Sequence, residues 1–175
     1  MTWSERAARI RAIVLDVDGV LTDGGVFYGP DGATFKRFEV RDGQAIRMAR
    51  ASGLAVGLIS GRSDPGTLRR AEELDLDFVR TGEQDKLEGL RRILEEQGLQ
   101  AAECLYVGDD LPDLPAMREA GIGVAVGDAL PEVRERADLV LETAGGHGAV
   151  REVIVRLMQA QGTWKAAAGR YFDAE

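Results

Sequence analysis

Two aspartates separated by a single residue are the first feature of this sequence that could carry chemistry. Asp16 and Asp18 follow the apolar run AIVL in the segment LDVDGVLTDG. If residues 12–17 form a strand, both side chains lie on the same side of its carboxyl end, because strand side chains alternate. Two carboxylates so close repel each other unless a cation lies between them or one of them keeps its proton. The pair therefore indicates either a magnesium site or an aspartate that works as acid and base.

Polar side chains also lie at or beside three later predicted strand ends. Ser60 ends the run AVGLIS, where its hydroxyl can donate to a phosphoryl oxygen. Lys86 begins a predicted helix, where a cation opposes the helix dipole, and neutralising a phosphate would explain its position. Asp109 directly follows the strand that ends in YVG, in a loop acidic enough to favour a bound cation. Asp110 and Asp113 follow as supporting residues, with Asp113 expected to cap the next helix or to contact the site from behind.

The elements that must position these residues alternate between short apolar runs and helical patterns. Buried parallel strands are predicted at residues 12–17, 55–60, 76–80, 104–108 and 123–127, and helices at 44–52, 65–74, 85–97, 113–120 and 149–161. This alternation predicts an α/β fold with an open, mostly parallel, Rossmann-like sheet and helices on both faces. The carboxyl ends of its strands share one edge, where such sheets bind ligands. Residues 25–40, with the turn GPDG, predict a projecting β-hairpin.

Composition excludes several other classes of protein. Among 175 residues, 30 acidic and 22 basic side chains give a formal net charge of −8, which argues against a nucleic-acid partner. No apolar run approaches the roughly 20 residues of a membrane span, and MTWSERAARI has no signal-peptide core, so we expect a cytoplasmic location. Cys104 has no partner for a disulfide, and Asp110 stands where a cysteine-dependent phosphatase would have its arginine. Carboxylates must therefore carry most of the chemistry.

Taken together, DVDGVLTDG, ISGR, the lysine of TGEQDKLEGL and GDDLPD resemble the four motifs of the haloacid-dehalogenase-like phosphatases. Through FEVRDG, GDDLPDLPAM and GGHGAVREV, the chain is most similar to the family of 3-deoxy-D-manno-octulosonate 8-phosphate phosphatases, over about residues 11–162. The resemblance implies a magnesium-dependent phosphomonoester hydrolase that acts through an aspartyl-phosphate and serves lipopolysaccharide assembly. Phosphatases for the phosphates of nine-carbon sugar acids share this arrangement of motifs and elements, so they remain an open alternative for the substrate.

The resemblance also implies a role for each matching residue. Asp16 is the implied nucleophile and Asp18 the acid and base, while Ser60 and Lys86 hold the phosphoryl oxygens. The implied magnesium ligands are Asp16, Asp109 and the backbone carbonyl of Asp18. Contacts to a small anionic sugar phosphate are implied for Asp18, Lys86, Arg41, Asp42, Gly43, Arg47, Arg62 and Arg70. Arginines suit such a substrate because they bind carboxylate and phosphate groups bidentately. In RDGQA, an alanine stands where relatives often have glycine, which bears on substrate fit.

The spacing of the motifs leaves no room for a cap domain. Asp16 and Ser60 are 44 residues apart, Ser60 and Lys86 are 26 apart, and predicted elements fill both intervals. An uncapped site is open to water, so a neighbouring subunit is expected to cover it. The resembled family is homotetrameric, with hairpins at the centre of the assembly and tails near a neighbour's site. We therefore expect one domain over residues 1–162 and a tail at 163–175 that carries Trp164, Tyr171 and Phe172.

Two alternatives without catalysis use similar residues. A receiver domain of a signalling pathway also gathers aspartates, a hydroxyl and a lysine around magnesium, but its phosphoacceptor aspartate follows a middle strand, where this chain has Ser60. A catalytically idle phosphatase-like regulatory module would have no need of an intact set of Asp16, Asp18, Lys86 and Asp109. The order and completeness of the motifs therefore favour an enzyme.

Overall fold

A six-stranded parallel sheet forms the centre of the computed structural model, which describes residues 2–169 and 171. Its strands are β1 (Ala12–Leu15), β4 (Ala55–Ser60), β5 (Phe78–Thr81), β6 (Cys104–Gly108), β7 (Ile122–Ala125) and β8 (Leu139–Val140). They lie in the order β5-β4-β1-β6-β7-β8, so β1 pairs with β4 on one side and β6 on the other. All four residues of β1 are fully buried, as expected for an apolar strand covered on both faces.

Helices cover both faces of this sheet. They are α1 (Trp3–Ala7), α2 (Val40–Ala51), α3 (Pro65–Glu73), α4 (Lys86–Gln97), α5 (Leu114–Glu119), α6 (Pro131–Arg134), α7 (Ala149–Ala160) and α8 (Trp164–Gly169). Helix α2 packs against α7, and α4 packs against α5. Aspartate caps begin the two helices next to the sheet's carboxyl edge: Asp64 accepts from the Thr67 amide and Asp85 from the Glu88 amide. No helix within residues 2–169 has both the length and the apolar character that a membrane crossing requires.

The predicted fold class is confirmed, with differences in detail. The short helices α1, α6 and α8 were not predicted, and β1 ends at Leu15, two residues before its predicted end. Strand β8 was not predicted, because its two residues are too few to form a pattern. Helix α2 begins at Val40, four residues before the predicted start at residue 44. The hairpin has only two residues in each strand, β2 (Phe27–Tyr28) and β3 (Thr34–Phe35), which pair antiparallel. Within the described chain, the intervals between the motifs hold these elements and no cap domain.

The segment after α7 packs against its own chain. Trp164 lies on the core, with the Arg151 guanidinium 5.7 Å from its ring centre. The Tyr171 hydroxyl accepts a hydrogen bond of 2.7 Å from the Gln44 side chain in α2. Phe172, the third aromatic residue of the predicted tail, lies outside the described residues. Trp164 and Tyr171 therefore dock on α7 and α2 of the same chain.

Candidate active site

Three neighbouring strands bring their polar ends together at the carboxyl edge of the sheet. Asp16 follows β1, Ser60 ends β4 and Asp109 follows β6. The Asp16 amide continues the sheet pairing by donating to the Val107 carbonyl at 3.0 Å. Carboxylate oxygens of Asp16, Asp109 and Asp113 lie within 4.8 Å of one another. The sheet therefore gathers the acids that the sequence analysis placed at separate strand ends.

Lys86 connects these acids from the first turn of α4. Its Nζ lies 2.8 Å from Asp16 Oδ1 and donates to Asp113 Oδ1 at 2.6 Å. Although burial lowers the pKa of the Lys86 ammonium, the charges of Asp16 and Asp113 raise it above its usual value. We call Asp16, Asp109, Lys86 and Asp113 the sheet-edge group.

Asp113 is the fixed anchor of the sheet-edge group. Its side chain is fully buried, and Oδ1 accepts from the Tyr106 hydroxyl at 2.8 Å as well as from Lys86. Its Oδ2 accepts from the amides of Asp109 and Asp110, at 3.1 and 3.2 Å. Asp113 thus supports the site from behind, while the exposed Asp110 side chain caps the next turn through the Leu111 amide.

The electrostatics of the sheet-edge group favour a bound cation. Burial, followed by the charge of Asp113, raises the pKa of Asp16 to about 6. Burial and the charge of Asp16 raise the pKa of Asp109 to about 8. In addition, Asp109 Oδ1 is buried and has no hydrogen-bond partner among residues 2–169 and 171. Because both oxygens of Asp113 are already engaged, Asp16 and Asp109 are the carboxylates with capacity for a cation, and oxygen donors of this kind fit Mg²⁺.

Gly19 brings backbone close to the same carboxylates. Its φ is +94°, and a Cβ on this residue would lie 2.1 Å from Asp109 Oδ2, so a side chain would both strain the backbone and collide. The loop that begins with Asp18 therefore approaches Asp109 closely because residue 19 is glycine. The role of Gly19 was not predicted.

A second group of charged residues lies on the hairpin side of the site. Lys36 Nζ is 2.8 Å from Asp18 Oδ1 and 2.6 Å from Asp64 Oδ2. Arg62 Nε is 3.8 Å from Asp18 Oδ2. Burial lowers the pKa of Lys36, but its two carboxylate partners raise it above the usual value. We call Asp18, Lys36, Asp64 and Arg62 the hairpin-side group.

Lys36 and Asp64 were missed by the sequence analysis. Lys36 follows β3 in the segment TFKRF, where nothing in the alternation of residue types separates it from the neighbouring Arg37. The Asp-Pro pair at residues 64–65 is a recognisable helix start, but it gives no indication of a contact with the hairpin.

Ser60 ends strand β4, which pairs with β1. It is buried, and its Oγ accepts a hydrogen bond of 3.2 Å from the Arg62 amide. Since that bond uses an oxygen lone pair, the hydroxyl hydrogen is left to donate to another acceptor. The predicted phosphoryl contact at this position is compatible with that arrangement.

The remaining predicted substrate residues lie on α2 and α3. Arg70 Nη2 donates to the Glu39 carbonyl at 3.1 Å, and its guanidinium lies 5.8 Å from the Phe38 ring centre. A Cβ at Gly43 would lie 2.5 Å from Arg70 Nη2, so this glycine makes room for the arginine. Arg47 donates to the Glu73 carbonyl at 3.3 Å.

Arg41 and Asp42 lie in the first turn of α2. Arg41 pairs with Glu39 at 3.0 Å, and the buried Asp42 accepts from the Arg151 amide at 2.7 Å, at the start of α7. Burial raises the pKa of Asp42 to about 6. For the predicted substrate residues on α2 and α3, the described part of the chain contains no hydrogen bond or ion pair to Asp16 or Lys86. Of the predicted arginines, only Arg62 contacts the site described above.

Fold and site together define a haloacid dehalogenase-like hydrolase, and residues 79–154 match the family model of that description. The chain is 42% identical to the 3-deoxy-D-manno-octulosonate 8-phosphate phosphatase of Escherichia coli strain K12 over 165 residues, which cover 94% of this chain and 88% of that protein. It is 39% identical to the phosphatase of the same name from Yersinia pestis over 165 residues, which again cover 94% of this chain and 88% of that protein. The chain belongs to the family of 3-deoxy-D-manno-octulosonate 8-phosphate phosphatases.

Solved structures agree with this assignment. The phosphatase of this name from Moraxella catarrhalis, solved with a magnesium ion, a phosphate ion and a 3-deoxy-D-manno-octulosonate molecule, matches at a TM-score of 0.94 with 37% identity and covers 96% of this chain and 97% of that one. The cobalt-bound enzyme of Haemophilus influenzae matches at 0.89 with 37% identity, covering 92% and 94%. The predictions of a haloacid-dehalogenase-like fold and of a phosphatase are confirmed.

Proposed function

We propose that this protein hydrolyses 3-deoxy-D-manno-octulosonate 8-phosphate to the sugar acid and phosphate, a step of lipopolysaccharide biosynthesis. In the first half of the reaction, a carboxylate oxygen of Asp16 attacks phosphorus, and the bond between phosphorus and the sugar oxygen breaks. Asp18 gives a proton to the departing sugar oxygen. Asp16 then carries the phosphoryl group as an aspartyl-phosphate.

In the second half, Asp18 takes a proton from a water molecule, which attacks the same phosphorus. The bond between Asp16 and phosphorus breaks, and inorganic phosphate leaves. Lys86 and the Ser60 hydroxyl hold the phosphoryl oxygens through both halves. Asp16, Asp109 and the Asp18 backbone carbonyl would hold magnesium, which would offset the repulsion between carboxylates and phosphate.

The observation that carries this proposal is the surroundings of Asp16. Its carboxylate is buried at the sheet edge, 2.8 Å from Lys86 Nζ and beside Asp109, whose Oδ1 has no partner. Asp18 follows two residues later, in the loop at the same strand end. This arrangement supports the assignment of Asp16 as nucleophile, of Asp16 and Asp109 as a cation site and of Asp18 as proton carrier.

Release of phosphate from a panel of sugar-acid phosphates tests the proposal. The panel contains the eight-carbon 3-deoxy-D-manno-octulosonate 8-phosphate and nine-carbon ulosonate 9-phosphates, each with and without magnesium. We expect the highest kcat/KM for the eight-carbon substrate and no turnover in the presence of a chelator. A preference for a nine-carbon substrate would transfer the assignment to that class.

We also propose a homotetramer assembled through the hairpin. Phe27, Tyr28 and Phe35 are 61%, 72% and 60% exposed, and Val40 is 77% exposed. An exposed apolar surface on a hairpin of two residues per strand is unstable in isolation and favours association. Phe38, which lies within the predicted hairpin at residues 25–40, packs instead against the core.

Light scattering tests the assembly. We expect a mass near four times the 18.9 kDa of one chain, and a smaller mass for a Phe27→Ser, Phe35→Ser double variant. A monomer mass for the unmodified protein would contradict the proposal. Two further predictions accompany this function. The first is a single phosphatase domain over residues 1–162 with a tail at 163–175, and the second is a cytoplasmic location.

A further inference from the structure

Lys36 is a charged residue of the site to which the proposed reaction assigns no role. Its side chain is 2% exposed, whereas the side chains of its partners Asp18 and Asp64 are 24% and 11% exposed. A buried ammonium is costly unless it is paired and hydrogen-bonded. Lys36 is paired with two carboxylates: it donates a hydrogen bond to Asp64 Oδ2 at 2.6 Å and forms an ion pair with the buried Asp18 Oδ1 at 2.8 Å. Its hidden position indicates that it acts on these carboxylates and makes little contact with solvent or substrate.

Asp64, the second partner of Lys36, is itself held in place by hydrogen bonds at the start of α3. It caps α3, accepting at Oδ1 from the Thr67 amide at 2.9 Å and at Oδ2 from the Thr67 hydroxyl at 2.8 Å. Thr67 is fully buried. Lys36 therefore connects Asp18, in the loop after β1, to the first turn of α3.

The two oxygens of Asp18 have different surroundings. Oδ1 is held by Lys36, and Oδ2 lies 3.8 Å from Arg62 Nε, beyond hydrogen-bond distance. We propose that Lys36 is a positioning residue for Asp18: it fixes Oδ1, so that Oδ2 is the oxygen that delivers the proton to the leaving sugar oxygen. This inference rests on the proposed function, because it needs Asp18 to act as the general acid.

Positioning of a general acid has a specific kinetic signature. A sugar alkoxide is a poor leaving group and needs the proton, whereas p-nitrophenolate departs as a stable anion and does not. Loss of Lys36 should therefore slow release of the sugar far more than release of p-nitrophenol. A role in binding the phosphoryl group or the cation would slow both reactions equally.

The experiment compares Lys36→Met, Lys36→Arg and the unmodified enzyme on 3-deoxy-D-manno-octulosonate 8-phosphate and on p-nitrophenyl phosphate. For Lys36→Met we expect kcat/KM to fall about 10- to 100-fold on the sugar phosphate and less than about threefold on p-nitrophenyl phosphate. The loss should lie in kcat, with KM nearly unchanged, and Lys36→Arg should recover most of it. Arg69→Met removes a charge from an exposed position on α3 and serves as the matched control, with unchanged kinetics expected.

Three results would overturn the inference: an equal loss on both substrates, a loss confined to KM, or an additional loss when Lys36→Met is combined with Asp18→Asn. If Lys36→Met does not fold, Asp64→Asn tests the same arrangement, since it keeps the acceptor for the Thr67 amide and removes one anchor of Lys36. It should then give a smaller loss, again restricted to the sugar phosphate. If the unmodified enzyme cleaves a different alkyl phosphate in preference, the proposed substrate fails, and that ester replaces it in the comparison.

Discussion

Each of two lysines in the site contacts two carboxylates, but they are held in different ways. Lys86 lies between Asp16 and Asp113 in the sheet-edge group, fixed by the first turn of α4 and by strands β1 and β6. Lys36 lies between Asp18 and Asp64 in the hairpin-side group, on a segment that follows a strand of two residues. In the proposed reaction, the phosphoryl group would thus be bound at the sheet, while the position of the proton carrier Asp18 would depend on a short hairpin and loops. The proposed reaction thus assigns the phosphoryl group, which all substrates share, to the rigid sheet. It assigns transfer of the proton to the sugar, which differs between substrates, to residues that depend on the small hairpin.

Asp16→Asn should give the largest effect in the sheet-edge group. Loss of the nucleophile should lower kcat/KM by at least about 10³-fold on every substrate, including p-nitrophenyl phosphate. Glu95→Gln, which neutralises an exposed carboxylate on α4, is the matched control and should leave turnover unchanged. Turnover above a few per cent in the Asp16 variant would mean that another group attacks phosphorus.

Lys86→Met should lower both activity and stability. It leaves Asp16 and Asp113 buried without their cation, so we expect the free energy of unfolding to fall by about 3–5 kcal/mol. Chemical denaturation measures this loss, and Lys36→Met should cost less because its partners Asp18 and Asp64 are more exposed. Equal losses in the two variants would contradict the contrast between the groups.

The metal-free protein should become less stable as pH rises. Burial raises the pKa of Asp16 to about 6 and that of Asp109 to about 8, so the folded state binds more protons than the unfolded state above about pH 4. The stability that these protons provide is complete below about pH 4 and is lost as pH rises through 6 and 8.

Thermal or denaturant unfolding across this range, with and without magnesium, measures the effect. We expect a loss of at least about 1 kcal/mol without metal, corresponding to one unit of pKa. Magnesium at 100 times its dissociation constant should add about 2.7 kcal/mol near neutral pH. A flat profile without metal would contradict the raised pKa values that burial gives to Asp16 and Asp109.

Arg62→Ala should give the smallest effect, mainly on KM. Arg62 is 62% exposed and lies 3.8 Å from Asp18, so it can turn towards an anionic sugar without breaking a close contact. We expect a rise of about tenfold in KM on the sugar phosphate. Arg70→Ala provides the comparison, since Arg70 is 13% exposed and bonded to Glu39 and Glu73. A larger KM effect from Arg70 than from Arg62 would place the sugar against α2 and α3.

The sequence predicts the sheet-edge group well because its members follow local patterns. Asp16 and Asp109 come directly after apolar runs, and Lys86 begins a helix that Asp85 caps. A parallel sheet then brings these ends to one edge without further information. The sequence does not predict the hydrogen-bond partner of each of these side chains. One example is the hydrogen bond that the Tyr106 hydroxyl donates to Asp113.

Lys36 and Asp64 of the hairpin-side group could not be predicted, because their contacts join segments whose relative placement is set by packing. The ion pair between Lys36 and Asp64 joins residues 28 positions apart, one after a hairpin strand and one at a helix cap. The early start of α2 has a similar cause: the segment VRDG resembles a loop, but Asp42 bonds to the start of α7 and Gly43 accommodates Arg70. Tertiary contacts here override the local preference for a turn.

The strand order β5-β4-β1-β6-β7-β8 also determines when the site can exist during synthesis. Strand β1 is made early, but its neighbour β6 begins only at Cys104, after residues 16–103 have been added. At about 5–20 residues per second, that interval lasts on the order of 10 s. Throughout it, one side of β1 is an unpaired strand edge, which in a growing chain is a template for aggregation. A ribosome-bound chain that stops before Cys104 should therefore carry Asp16 without an active site and should depend on chaperones to stay soluble.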